Sequence, residues 1–95
     1  MKTLRKVEIE PVFVDEMPDT YVRGKVYICE QYGTSAHICL CGCDNKVVMP
    51  LDDGSKWWRL VKENNGKVSF IGSVGCYNFP CKSHYIITKN IANFV

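Results

Sequence analysis

The sequence predicts a small, mainly β domain whose strands pair chiefly in antiparallel fashion. Three observations support this fold class. Short β-rich segments are separated by turn-forming Gly, Asn, Asp and Pro residues. Asn65-Gly66 lies between two of these segments, and Asn-Gly is a strong signal for a hairpin turn. No stretch repeats its apolar residues with the period of a long amphipathic helix.

The candidate strands follow one another without a repeat, a low-complexity tract or a linker. In chain order they span residues 21–30, 36–41, 46–50, 57–61, 67–71, 84–88 and 91–95. A turn over residues 52–55 precedes the fourth segment, and Asn65-Gly66 joins the fourth to the fifth as a hairpin. We therefore expect one domain over residues 1–95.

The composition excludes several classes of protein. The 95 residues are 46% hydrophobic and 23% charged, which is too apolar for a disordered chain. No apolar run is long enough to span a bilayer. The basic N-terminus is followed by Glu8 and Glu10, which a secretory signal would not carry, so we expect a cytoplasmic protein with reduced thiols. A net charge of +2 does not by itself argue for binding to nucleic acid or a membrane.

Four of the six cysteines require one explanation, because three of them alternate along a single short segment. A disulfide between residues two apart would be strained. Cysteines at i and i+2 of a strand share a face and can converge on one tetrahedral zinc ion. A metal that closes a long loop would also stabilise a modest core. We assign a structural zinc site to Cys39, Cys41, Cys43 and Cys81.

Other ligand sets remain open at this stage. In one alternative, His84 replaces one of the local cysteines through Cys81-x-x-His84. The remaining cysteines are Cys29, which we expect to be a buried apolar residue, and Cys76, which lies in a glycine-rich turn. A four-thiolate zinc has no open position for water, so any catalysis would come from neighbouring side chains.

A serine and a histidine lie two residues from the predicted ligands. If the two cysteine segments pair as antiparallel neighbours with Cys39 opposite Cys81, then His37 lies opposite Ser83. That arrangement permits the hydrogen bond of an activated serine. If Cys41 is opposite Cys81 instead, His37 faces Tyr85 and the pair is lost.

The third member of such a site would be an acid that orients the histidine. Glu30 is the best candidate, because it precedes His37 by a short segment in which Gly33 can turn the chain. The aspartates Asp44, Asp52 and Asp53 are weaker candidates. A non-catalytic role also fits the pattern, since a serine and a histidine beside a zinc site often donate hydrogen bonds that orient its thiolates.

The same residues resemble a small bacterial family, first catalogued as a domain of unknown function, over residues 11 to 90. The likeness rests on two motifs, namely Tyr32-Gly33-Thr34-Ser35-Ala36-His37-Ile38-Cys39-Leu40-Cys41-Gly42-Cys43 and Pro80-Cys81-Lys82-Ser83-His84-Tyr85. Ser73-Val74-Gly75 also fits the pattern. The chain departs from it at Cys76-Tyr77, where the family has Asn-Trp, and at Asp44, where a glycine is usual.

Members of this family occur beside bacterial ubiquitin-like conjugation genes, some linked to phage defence, and look like serine peptidases of the deubiquitinase kind. The resemblance implies that Ser83 is the nucleophile, that His37 is the base and that the cysteines hold a structural zinc. It also implies that the partners are a ubiquitin-like protein or its conjugates, together with the activating and conjugating enzymes of the pathway. The alternatives are a non-catalytic zinc-binding module for protein or nucleic acid, and a structural subunit of a conjugation complex.

Overall fold

Strands dominate the structure, a computed structural model that describes residues 5–75 and 83–95. In chain order they are β1 (Lys6–Glu8), β2 (Glu10–Phe13), β3 (Lys25–Cys29), β4 (Thr34–Ile38), β5 (Lys46–Pro50), β6 (Arg59–Lys62), β7 (Val68–Ile71), β8 (Val74–Gly75), β9 (His84–Thr88) and β10 (Ile91–Phe94). Two short 3₁₀ turns, Glu30–Tyr32 and Asn64–Gly66, are the only helical elements within these ranges. The prediction of a mainly β fold is confirmed.

The strands form two four-stranded sheets and a separate hairpin. One sheet has the order β1-β10-β9-β8, the other has the order β2-β3-β4-β5, and β6 pairs with β7. All these pairs are antiparallel except β2 and β3, which run parallel. The parallel pair requires residues 14–24 to cross back over the sheet. A bond from the Cys29 thiol to the Asp15 carbonyl, at 3.4 Å, ties this segment to β3.

The turns explain why neighbouring strands fold back on each other. Gly33 ends the turn between β3 and β4 in the left-handed region, at φ 60°, which costs glycine little. Asn65 and Gly66 both have positive φ between β6 and β7, as a hairpin turn of this composition requires. The predicted hairpin is confirmed, with Lys62 opposite Val68.

The core lies between the inner faces of the two sheets. From the β2–β5 sheet, Val26, Ile28 and Met49 are completely buried, and from the other sheet Tyr85 and Ile87 are completely buried. Cys39 and Leu40, which directly follow β4, belong to the same cluster. None of the described residues forms a helix long and apolar enough to cross a membrane.

The strand pairing that we considered for the two cysteine segments is wrong. β4 lies between β3 and β5, where His37 is paired with Val47. β9 lies between β8 and β10, where Tyr85 is paired with Val74 and Phe94. Each of these strands pairs with the strands directly before and after it in the chain, because short loops cost less entropy to close. β4 and β9 are therefore not neighbours in one sheet, and they meet instead through the contact between His37 and Tyr85.

Candidate active site and metal centre

The cysteine-rich segment forms a tight loop between β4 and β5. The N–H of Cys39 donates to the carbonyl of Asn45 at 2.7 Å, which closes the base of the loop. The N–H of Gly42 donates back to the carbonyl of Cys39 at 3.1 Å, and this turn places Gly42 at φ 96°. A side chain at that φ would be strained, so the glycine allows the loop to fold its cysteines together.

The three cysteine sulfurs of this loop lie within 4.8 Å of one another. The Sγ atoms of Cys39 and Cys41 are 3.5 Å apart. Sulfur atoms bound to one tetrahedral zinc at ~2.3 Å are separated by about 3.8 Å, so the spacing fits a shared ion. The side-chain amide of Asn45 donates to Cys43 Sγ at 3.1 Å, as groups around metal-bound thiolates commonly do. The loop can therefore hold a metal ion.

The fourth predicted ligand, Cys81, lies outside the described residues, as does Cys76. In residues 5–75 and 83–95, the loop cysteines are the one group of three or more ligand-type side chains this close together, and His84 is not part of it. The alternative ligand set with His84 includes Cys81, so it stays a prediction. Cys29 is completely buried, as expected for an apolar role.

His37 lies on the inner face of β4 and is completely buried. Burial lowers the pKa of His37 from its ordinary value of 6.5 to about 4, because the charged imidazolium loses its hydration. The ring is therefore neutral at pH 7. A neutral imidazole carries one N–H donor and one lone-pair acceptor, which is the form that a general base requires.

Tyr85 contacts this histidine from the opposite sheet. The distance between His37 Nε2 and the Tyr85 hydroxyl oxygen is 2.6 Å, which is a short hydrogen bond between two completely buried side chains. The rings meet edge to face, with centroids 6.0 Å apart. His37 Nδ1 is also buried, and it has no hydrogen-bond partner among the residues that the structure describes. Nε2 is therefore held by a hydrogen bond, whereas Nδ1 has none within the described residues.

Ser83 lies directly before β9 and is half-buried. Side chains alternate between the two faces of a strand. Extending the alternation of β9 by one residue assigns Ser83 to the side of Tyr85 and Ile87, both of which point into the core. The catalytic pairing of Ser83 with His37 stays a prediction.

Glu30 lies at the opposite end of β4 from the cysteine loop. It belongs to the 3₁₀ turn after β3, and its carboxylate lies 2.8 Å from Lys62 Nζ. This ion pair lines an open cleft of about 500 Å³ together with Gly33, Leu51, Asp52 and Leu60. The structure does not bring Glu30 to His37, whose one described hydrogen bond is to Tyr85.

Tyr85 is the residue of this site to which the sequence assigned no role. The sequence did contain an indication of this contact, because pairing Cys41 with Cys81 puts His37 opposite Tyr85. That register was based on neighbouring strands, and the contact is instead made across the two sheets. Spacing along the chain carries no information on which faces of different sheets meet.

A family model described as "Bacterial ubiquitination-like system serine protease (BubE)" matches residues 13–95 of the chain. The match includes β3 to β10, the cysteine loop, His37 and Ser83. No curated protein and no solved structure matches the chain significantly.

Proposed function

Because the chain belongs to the BubE family of bacterial ubiquitination-like system serine proteases, we propose that it processes or deconjugates the ubiquitin-like protein of such a system. The bond cleaved would follow the last residue of the ubiquitin-like tail. The leaving group would be either a C-terminal extension or the lysine amine of a conjugate. The activating and conjugating enzymes of the pathway would then share this ubiquitin-like protein as a common partner.

In the proposed reaction, Ser83 is the nucleophile and His37 is the general base. The Ser83 oxygen attacks the carbonyl carbon after the tail, and its proton passes to His37. His37 returns the proton to the leaving amine as the C–N bond breaks. Water then attacks the acyl carbon and gives a proton to His37, which passes it to the Ser83 oxygen as the ester C–O bond breaks. No step requires a cofactor.

The observation that carries this proposal is the contact between His37 and Tyr85. Tyr85 is two residues after Ser83, and its 2.6 Å hydrogen bond to His37 ties β9 to the inner face of β4. The Nδ1 atom of His37 supports the same proposal, because a catalytic role is one of the explanations for a buried polar atom without a partner. Glu30 makes no contact with His37, so it is not used in the proposed mechanism.

We propose that Cys81 completes the metal group of the cysteine loop and that the ion is a structural zinc. Three thiols with this spacing suit zinc better than a hard cation such as Mg²⁺, which prefers oxygen ligands. The ion would join the β4–β5 loop to the chain just before Ser83. It would also require reduced thiols, which the cytoplasm supplies.

Replacing the nucleophile tests the proposed activity. Ser83→Ala should abolish cleavage of a fusion that carries a pathway ubiquitin-like protein before a reporter, while metal content and the circular dichroism spectrum stay unchanged. The matched control is Ser73→Ala, since Ser73 is exposed. A fluorophosphonate probe should label the wild type and the control but not Ser83→Ala.

Unchanged cleavage by Ser83→Ala would exclude the serine assignment. If neither the wild type nor the variants cleave the fusion and no probe is attached, a non-catalytic zinc module becomes the better description. Metal analysis of protein purified without a chelator tests the zinc assignment, with one zinc per chain expected. A stoichiometry near zero in a folded protein would refute it.

A further inference from the structure

The two nitrogens of His37 have different surroundings, and this difference bears on how the base is oriented. Nε2 is bonded to the Tyr85 hydroxyl, and Nδ1 has no hydrogen-bond partner within the described part of the chain. In a neutral imidazole one nitrogen bears the proton and the other bears the lone pair. The phenol can donate or accept, so the bond to Tyr85 allows two arrangements.

The burial of Nδ1 distinguishes the two arrangements. If Tyr85 donates its proton to Nε2, then Nδ1 carries an N–H that is buried without an acceptor. If Nε2–H donates to Tyr85, then Nδ1 carries a lone pair that is buried without a donor. Among buried backbone groups, an N–H without an acceptor is rarer than an under-satisfied carbonyl, and we apply the same order to the imidazole nitrogen. The second arrangement therefore fits the surroundings better, and it leaves Nδ1 able to accept a proton.

In residues 5–75 and 83–95, no carboxylate is bonded to either ring nitrogen of His37. Glu30, in the turn between β3 and β4, instead forms an exposed ion pair with Lys62. Val47 is the cross-strand neighbour of His37 on β5, and the nearby Ser35 hydroxyl donates to the Met49 carbonyl at 2.9 Å. Within the described part of the chain, the bond that fixes the ring plane of His37 is therefore the one to Tyr85.

We propose that Tyr85 is the positioning residue of the Ser83–His37 pair. It accepts the hydrogen bond of His37 Nε2–H and so reserves Nδ1 for the hydroxyl of Ser83. This inference rests on the proposed function. When Ser83 attacks, its O–H bond breaks, the proton joins Nδ1 and the Oγ–carbon bond forms. The proton then leaves Nδ1 for the amine as the C–N bond breaks, and Nε2–H stays bonded to Tyr85 throughout.

The geometry of stacked sheets supports this division of the two nitrogens. Facing sheets pack about 10 Å apart. A tyrosine is long enough to reach a histidine that is displaced along the opposite sheet. A serine has a short side chain, so it can bond only a nitrogen that is turned towards its own position. Ser83 and Tyr85 are two residues apart in the chain, so the ring of His37 would contact each of them through a different nitrogen.

Removing the hydroxyl of Tyr85 tests the role of this residue. Tyr85→Phe should lower kcat for the fusion by about 10- to 100-fold and leave KM within twofold, because the substrate is still bound but the base is no longer oriented. Tyr27→Phe is the matched control. Tyr27 lies on the other face of the β2–β5 sheet, where its hydroxyl accepts the N–H of Val22 at 3.1 Å, and this variant should keep kcat within twofold.

Two outcomes would overturn the inference and leave the proposed function intact. In both, Ser83→Ala is inactive. In the first, Tyr85→Phe retains full kcat. In the second, Glu30→Gln loses kcat and Tyr85→Phe does not, which would identify the carboxylate as the orienting group. If Ser83→Ala cleaves as well as the wild type, the proposed function itself fails.

A spectroscopic measurement tests the same inference without any activity. Nitrogen-15 NMR of protein with labelled histidine reports which ring nitrogen bears the proton, and the His37→Gln variant assigns the signals. At pH 7.5 the wild type should have the proton of His37 on Nε2, and Tyr85→Phe should shift both nitrogen signals. A proton found on Nδ1 in the wild type would overturn the inference, even if Tyr85→Phe does not fold.

Discussion

Two polar pairs of similar length have opposite surroundings in this molecule. His37 and Tyr85 are 2.6 Å apart and completely buried between the sheets. Glu30 and Lys62 are 2.8 Å apart in an open cleft, with side chains 48% and 58% exposed. Water competes for the second pair and screens it, but it does not reach the first. Contact distance alone therefore does not show which pair contributes more to stability, whereas the burial of the side chains does.

The comparison also explains why Glu30 seemed the better partner for His37. In the sequence Glu30 is close to His37, and Tyr85 is 48 residues away. In the fold, β4 leads away from the turn that holds Glu30, and each strand residue adds about 3.3 Å of separation. Tyr85 approaches from the other sheet. Residues near each other in the chain are therefore separated along a strand, while residues of another sheet can lie close to them.

The largest expected effect comes from the cysteine loop at the buried end of β4. Cys39→Ser should prevent binding of the proposed metal and destabilise the fold by more than about 4 kcal/mol, since loss of a structural metal is among the most damaging single changes. Cys39 is 2% exposed and belongs to the core cluster, so the variant also exchanges a buried sulfur for a hydroxyl. Urea denaturation and metal analysis would measure both effects.

Cys29→Ser is the matched control, because Cys29 is equally buried but lies outside the metal group. It should keep the metal content of the wild type and lose stability only through the exchange of sulfur for oxygen. Equal losses in both variants, with metal retained in both, would mean that burial alone accounts for the effect and that the loop has no metal-binding role.

The strands could be predicted from the sequence to within a few residues wherever the local pattern was strong. The segments around Val26, Val48 and Ile87 are rich in β-branched residues and bounded by turns, and the Asn65-Gly66 hairpin follows from its composition. Strands β1 and β2 were missed, because their glutamates and Pro11 hide a short apolar pattern that includes the buried Ile9. The parallel pairing of β2 was missed with them.

The candidate site was predictable in its local part only. The convergence of Cys39, Cys41 and Cys43 follows from their close spacing and from the turn at Gly42, and it occurs in a loop, not along one face of a strand as expected. The contact between His37 and Tyr85 depends on how two sheets pack face to face, and no local spacing encodes that packing. Residue types could therefore be nominated from the sequence, but the partner of His37 could not.

Loss of the buried hydroxyl gives the next largest expected effect on stability. Tyr85→Phe should cost about 1–3 kcal/mol of the free energy of unfolding, because it leaves the buried Nε2 of His37 without its partner. Tyr27→Phe should cost less, about 0.5–1.5 kcal/mol, since the N–H of Val22 is on an exposed residue and can turn to water. Chemical denaturation of both variants measures the difference. Equal costs would contradict the expectation that the more deeply buried hydrogen bond contributes more to stability.

A smaller effect is expected from the buried hydroxyl of Ser35, which lies on the same face of β4 as His37. Ser35→Ala should cost about 1 kcal/mol, because it removes the 2.9 Å bond from Ser35 Oγ to the Met49 carbonyl. The backbones of Ser35 and Met49 remain paired between β4 and β5, so only one bond is lost. Equilibrium unfolding would measure the cost. A loss larger than that of Tyr85→Phe would place the critical polar contact of β4 at Ser35 and not at His37.

The smallest effect is expected at the exposed pair. Glu30→Gln should change the free energy of unfolding by less than about 1 kcal/mol, because an exposed ion pair gains little over hydrated side chains. Lys62 also keeps a second contact, since its Nζ lies 5.3 Å from the centroid of the Phe13 ring. Denaturation at low and high salt should give nearly equal values for this variant, because screening has little left to remove. If Glu30→Gln instead costs as much as Tyr85→Phe at both salt concentrations, the two pairs do not differ as their exposure indicates, and Glu30 must stabilise the fold through a contact other than Lys62.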